Sequence, residues 1–158
     1  MTRQMMRAGL LAIAATAFCV GGISPGAHAQ TKQSVWDGIY TDAQAARGKG
    51  QYGQHCAVCH GAALEGNTES PPLVGQFIPD WAGTTLDELY DKIETTMPLN
   101  APGTLRPAVA ADILAYLLQA NDFPAGAKEL TAAPDSLATI SFDAHKPKPV
   151  AARTGKSR

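Results

Sequence analysis

Apolar and polar positions alternate with a helical period in three stretches of this chain. The clearest runs through Leu86, Leu89, Tyr90 and Ile93, which recur at i, i+3, i+4 and i+7 and so share one face of a helix. Thr85-Leu86-Asp87-Glu88 stands at its start with the spacing of a capping box. In a second stretch Val109, Ile113, Tyr116 and Leu117 mark a buried face. Pro107 suits its first turn, and Asn121 and Pro124 stop it after about Ala120. In the third, Ala45, Gly48 and Tyr52 fall on one face, and Thr41 to Gln44 reads as another capping box, which predicts a helix to about Gln54. Glycine and proline punctuate 61–79, and Pro98, Pro102 and Pro107 stiffen 97–107, so both read as loops. Leu137 to Phe142 reads as an extended segment lying on the body. No strand–helix alternation appears, and the pattern predicts an all-α chain with three main helices.

The first residues follow a different rule. Arg3 and Arg7 precede an apolar run from Ala8 to Ile23, and Ala27-His28-Ala29 forms a cleavage site, so residues 1–29 read as a signal peptide for export to the periplasm. The run is short for a membrane span; a retained anchor is the alternative. About 129 residues then remain, which fits one domain over 30–143 followed by a tail. Charge separates the two. From Val35 to Asp143 there are five Lys or Arg against fourteen Asp or Glu, whereas 144–158 holds five Lys or Arg and no acid. The tail, rich in Lys, Pro and Ala, is expected to be disordered. An acidic body does not suit nucleic-acid binding.

Chemistry enters at Cys56-Ala57-Val58-Cys59-His60. Two cysteines separated by two residues and followed by histidine form the attachment signature of a c-type haem. Each thiol adds across one vinyl group of the porphyrin, so the sulfurs must lie about one turn apart, and the next residue then aims an imidazole at the iron. A structural zinc site needs four protein ligands, and after residue 29 no second cysteine pair is present. A thioredoxin-like pair needs a βαβ setting, which is missing here. The signature therefore points to Cys56 and Cys59 as haem attachment points and His60 as an axial ligand.

With that motif in place, 41–120 resembles a class I c-type cytochrome. The resemblance implies a cytochrome c fold, with three main helices and loops wrapped around one covalently bound haem c. It implies that Gly48 and Tyr52 on the first helix pack against Ile113 and Tyr116 on the last. The stretch Pro71-Pro72-Leu73-Val74-Gly75 matches the family's Pro-x-Leu-x-Gly, so Pro71 is expected to accept the Nδ1–H of His60. Met97, in Thr95-Thr96-Met97-Pro98, is expected to be the sixth iron ligand; it is the one methionine after residue 29. His145 is its rival, and His55 is too close to Cys56 to reach the opposite haem face. Trp81 takes the place of a family tryptophan that reaches a haem propionate, with core packing as the alternative. The phrases 35–41, 95–98 and 111–121 are further similar to small bacterial cytochromes c associated with periplasmic quinoprotein dehydrogenases.

The chain is therefore expected to be a soluble periplasmic one-electron carrier, not an enzyme and without catalytic residues. It would take electrons from a dehydrogenase and pass them to a terminal oxidase or other cytochrome, with no stable membrane span once the signal is removed. Leu73, Leu86, Leu89, Ile93, Leu99 and Ile113 are expected to wall the haem. An electron-transfer subunit of a dehydrogenase complex is the nearest alternative. A haem peroxidase or sensor is a further one, but it would need an open iron position and distal acid–base groups.

Overall fold

A computed structural model describes residues 33–148. The signal peptide assigned to 1–29 and the end of the basic tail, 149–158, lie outside the described residues. Among the described residues the order is β1 (Gln33–Ser34), a 3₁₀ turn (Val35–Asp37), α1 (Asp42–His55), α2 (Ala57–His60), α3 (Phe77–Trp81), α4 (Leu86–Thr96), α5 (Pro107–Ala120), α6 (Pro134–Leu137) and β2 (Ile140–Ser141). No helix among them is long and apolar enough to cross a membrane.

The three main helices, α1, α4 and α5, begin and end for local reasons. Thr41 is extended and its hydroxyl accepts the Gln44 N–H at 3.1 Å, which satisfies one free donor of the first turn of α1. The Glu88 carboxylate accepts the Thr85 N–H at 3.3 Å at the start of α4, and Asp87 adds a second negative charge there, where the helix dipole favours it. This helix stops at Thr96 because Met97 precedes Pro98. A residue before proline is pushed out of the helical region, and Met97 has φ −112° and ψ 152°. In α5, Pro107 occupies the first turn. The chain leaves through Asp122 at φ 63°, with the Phe123 N–H returning to the Leu118 carbonyl at 3.1 Å.

The principal contact in the molecule is α1 against α5. A β-carbon at Gly48 would overlap the Asp112 carbonyl oxygen, so the crossing is as close as two backbones allow. Tyr52 and Tyr116 fill the space beside it, with ring centroids 5.4 Å apart. The buried face of α5 is wider than the periodicity of its sequence predicts. Ala110, Leu114, Ala115 and Leu118 are buried along with Ile113, Tyr116 and Leu117, while Val109 is only partly covered.

Beyond Asn121 the chain turns back as a belt over the body. Gly126 donates to the Tyr40 carbonyl at 2.6 Å, and the Gln44 side chain pairs with both backbone groups of Leu130, at 2.9 and 2.7 Å. Gln44 is therefore no capping-box partner: it lies buried, and its amide serves the belt instead of the helix end. The 137–142 stretch is not wholly extended. Leu137 closes α6, and only Ile140–Ser141 forms a strand, parallel to Gln33–Ser34. Trp36 seals the junction by donating its indole N–H to the Asp143 carbonyl at 2.8 Å.

Candidate functional site

His55 ends α1, and its successor Cys56 begins the single turn α2, so both cysteines and His60 are delivered by one continuous piece of backbone. The Cys56 N–H still bonds to the Tyr52 carbonyl at 2.8 Å, and the His60 N–H bonds to the Cys56 carbonyl at 2.9 Å. Tyr52 fixes the other end of the turn by donating its hydroxyl to the Gly61 carbonyl at 2.6 Å. Burial raises the pKa of that hydroxyl, so it remains a donor. Burial, and then the neighbouring Cys59, push the Cys56 thiol up to about 11. It is thus a neutral thiol near pH 7.

His60 is nearly buried, and its Nδ1 lies 2.9 Å from the Pro71 carbonyl oxygen. A carbonyl only accepts, so Nδ1–H is the donor here, and Nε2 is the ring nitrogen not engaged by Pro71. The loop that brings Pro71 there is itself tied down. Asn67 Nδ2 donates to the Cys59 carbonyl at 2.8 Å, and the Leu73 N–H donates to the Leu64 carbonyl at 2.8 Å.

His60, Cys56 and Cys59 open onto a crevice of about 500 Å³. Leu73, Phe77, Leu89, Ile93, Ile113 and Leu117 wall it, and Pro71, Trp81 and Met97 also line it. Met97 comes from the end of α4, so His60 and Met97 line one apolar space from different elements. Trp81 is half-buried, and among the described residues its indole N–H has no hydrogen-bond partner. The exposed His145 is not part of the crevice, while His55 stands on the attachment side next to Cys56.

One of the expected wall residues falls elsewhere. Leu86 is fully buried but outside the lining, because it sits on the α4 turn that faces the belt. Leu99 does line the crevice, at its edge, where it is 70% exposed. Two wall residues were not expected: Leu117, read only as part of the buried face of α5, and Phe77. Phe77 belongs to α3, a short helix in a stretch whose glycine and proline content reads as loop. Asn121, buried at the end of α5, was likewise legible only as a helix stop. Its side chain donates to the Leu73 carbonyl at 2.9 Å, beside the loop that carries Pro71.

Among the described residues no group of three or more His, Cys, Asp or Glu is assembled for a bare metal ion. One imidazole, one thioether and two thiols at an apolar crevice suit a flat apolar group such as a haem, which brings further metal donors of its own. The volume is within the range of a cofactor pocket.

Residues 43–117 match the family described as cytochrome C oxidase, cbb3-type, subunit III. No curated protein matches the chain. Among solved structures, the sulfane dehydrogenase SoxCD from Paracoccus pantotrophus is similar at 22% identity and a TM-score of 0.47, over 67% of this chain. The similarity spans 61% of that protein's chain.

Proposed function

We propose that this class I c-type cytochrome, an electron carrier with one covalently bound haem c, works in the periplasm between a dehydrogenase and a respiratory acceptor. On this reading the signal peptide is removed near Ala29, 30–143 is the cytochrome domain and 144–158 is a basic tail. A quinoprotein dehydrogenase is the proposed donor, and a terminal oxidase or another cytochrome the acceptor. The observation that carries the proposal is the convergence of Cys56, Cys59, His60 and Met97 on one apolar crevice.

The haem supplies a one-electron Fe(III)/Fe(II) couple. Cys56 and Cys59 would hold it by thioethers. His60 would present Nε2 to the iron, with Pro71 fixing the tautomer and making the imidazole a stronger donor. Met97 would occupy the opposite side, and its thioether favours the reduced state relative to a second nitrogen ligand. With His60 and Met97 both committed to the iron, the metal would have no place for a substrate, and the chain would exchange electrons rather than transform a ligand. Trp81 has an uncommitted indole N–H at the crevice, which supports a hydrogen bond to a propionate. The apolar wall excludes water and disfavours the more highly charged oxidised state. Val58, 85% exposed, and Leu99 border the crevice mouth and make an apolar landing place for a redox partner protein.

Protein matured in a bacterial periplasm should keep its haem through acid–acetone extraction. Its oxidised form should show the weak near-infrared band of methionine-bound ferric haem. Met97→Ala should abolish that band and let carbon monoxide bind the reduced protein. Freely extractable haem would refute the covalent attachment, and an unchanged band in the variant would refute Met97 as ligand.

A further inference from the structure

We infer that the belt from Asn121 to Asp143, which lies beyond the family-matched residues 43–117, braces both walls of the haem crevice and thereby holds the axial ligands in place. The inference rests on the proposed roles of His60 and Met97.

The brace acts at two points. On the His60 side, Asn121 is 5% exposed and divides its two amide hydrogens between the Leu73 and Leu117 carbonyls, both at 2.9 Å. Leu73 is two residues beyond Pro71, and its own N–H is held by Leu64. Asn121 therefore secures the peptide on the outer side of the loop whose inner side receives the His60 proton. Without that amide, the partly buried Leu73 carbonyl loses its side-chain partner, and the loop gains a reason to turn outward.

At the opposite end of the belt Phe142 is fully buried and outside the crevice lining, yet it supports two residues that are part of it. Its ring meets Phe77 edge-on at 6.0 Å, and Phe77 packs on Trp81 at 6.5 Å. Its backbone is pinned to the loop just after Trp81: Gly83 donates to the Phe142 carbonyl at 2.9 Å, and Phe142 donates to the Thr84 carbonyl at 3.0 Å. Phe123 and Trp36 continue the ring contacts outward at 5.3 and 4.8 Å, so the wall is anchored to the start of the domain as well. Phe142 and Asn121 touch no reacting atom. They are positioning residues, acting through Phe77, Trp81 and the Pro71 loop.

A belt that only covers apolar surface would stabilise the protein without affecting ligation, and Leu130→Ala separates the two cases. Leu130 is a buried belt residue outside the crevice, and its backbone bonds to Gln44 survive the change. Full-length haem protein would be prepared as wild type, Asn121→Ala, Phe142→Leu and Leu130→Ala. The readouts are the melting temperature, the midpoint potential and the rate at which carbon monoxide binds the reduced form. That rate reports how often Met97 leaves the iron.

Asn121→Ala and Phe142→Leu are each expected to shift the potential and raise the binding rate roughly tenfold, the order set by one lost buried hydrogen bond or a comparable packing defect. Leu130→Ala should lower the melting temperature and leave both haem readouts near wild type. Equal changes in Leu130→Ala, or unmoved readouts in the other two, would overturn the brace while wild type still binds carbon monoxide slowly. Fast binding in wild type would instead overturn Met97 ligation, and the brace with it.

Discussion

At Gly48 a single hydrogen in place of a side chain decides how the molecule closes, since a β-carbon there would run into the Asp112 carbonyl. Alanine favours a helix over glycine by about 1 kcal/mol, so in isolation Gly48→Ala would strengthen α1. Here the overlap is with backbone, which cannot swing aside. Overpacking of this kind costs about 1–3 kcal/mol or more, and the net effect is destabilisation. Urea unfolding of Gly48→Ala should show a lower midpoint, and a midpoint at or above wild type would mean that the helices leave room for a methyl group. Gly48 was legible in the sequence through family resemblance, and Cys56, Cys59 and His60 through the contiguous spacing that the attachment chemistry demands. Asn121 and Gln44 were not, because what they do depends on partners 48 and 86 positions away.

Among elements, the legible ones were those whose ends are set locally. A capping threonine, a proline in the first turn and a residue before proline each act within a few positions, so α1, α4 and α5 lie where periodicity puts them. Short elements obey tertiary contacts instead. Five residues of α3 and two of β2 are too few to carry a period, and β2 exists because Gln33–Ser34 lies beside it. The joint between α1 and the belt tests the distinction. Thr41→Ala removes a helix cap and should cost about 1 kcal/mol. Gln44→Ala, if Gln44 served the helix end, would cost less than that. Because its buried amide pairs with both backbone groups of Leu130, the loss should be about 2 kcal/mol, from two polar groups left unpaired. Denaturant midpoints for the two variants should therefore rank Gln44→Ala below Thr41→Ala; the reverse order would return Gln44 to a capping role.

Over the whole molecule the net charge of −1 conceals a division between an acidic body and a basic end. Among the described residues, Val58 and Leu99 are the large apolar side chains left exposed, and both line the crevice. A partner that docks there must bury them, and burial of an aliphatic side chain is worth about 1.5–3 kcal/mol, so Val58→Ser and Leu99→Ser should each slow transfer with a partner protein by roughly tenfold or more. Both residues also line the crevice, so reduction by a small soluble reductant is the control: an unchanged rate there places the defect in docking, and a parallel loss places it in the haem site. Electrostatics should act earlier, during encounter. Fourteen acids against five bases from Val35 to Asp143 favour a partner with a basic rim, and exposed charges are screened beyond about 8–10 Å at physiological salt. Association with such a partner should slow as ionic strength rises. The five Lys and Arg of 144–158 oppose that attraction if they share the encounter. A chain ending at Asp143 should then react faster than the full chain at low salt and show a steeper salt dependence. Equal rates and equal slopes for the two chains would take the tail out of recognition and leave it to the acidic body and the apolar mouth.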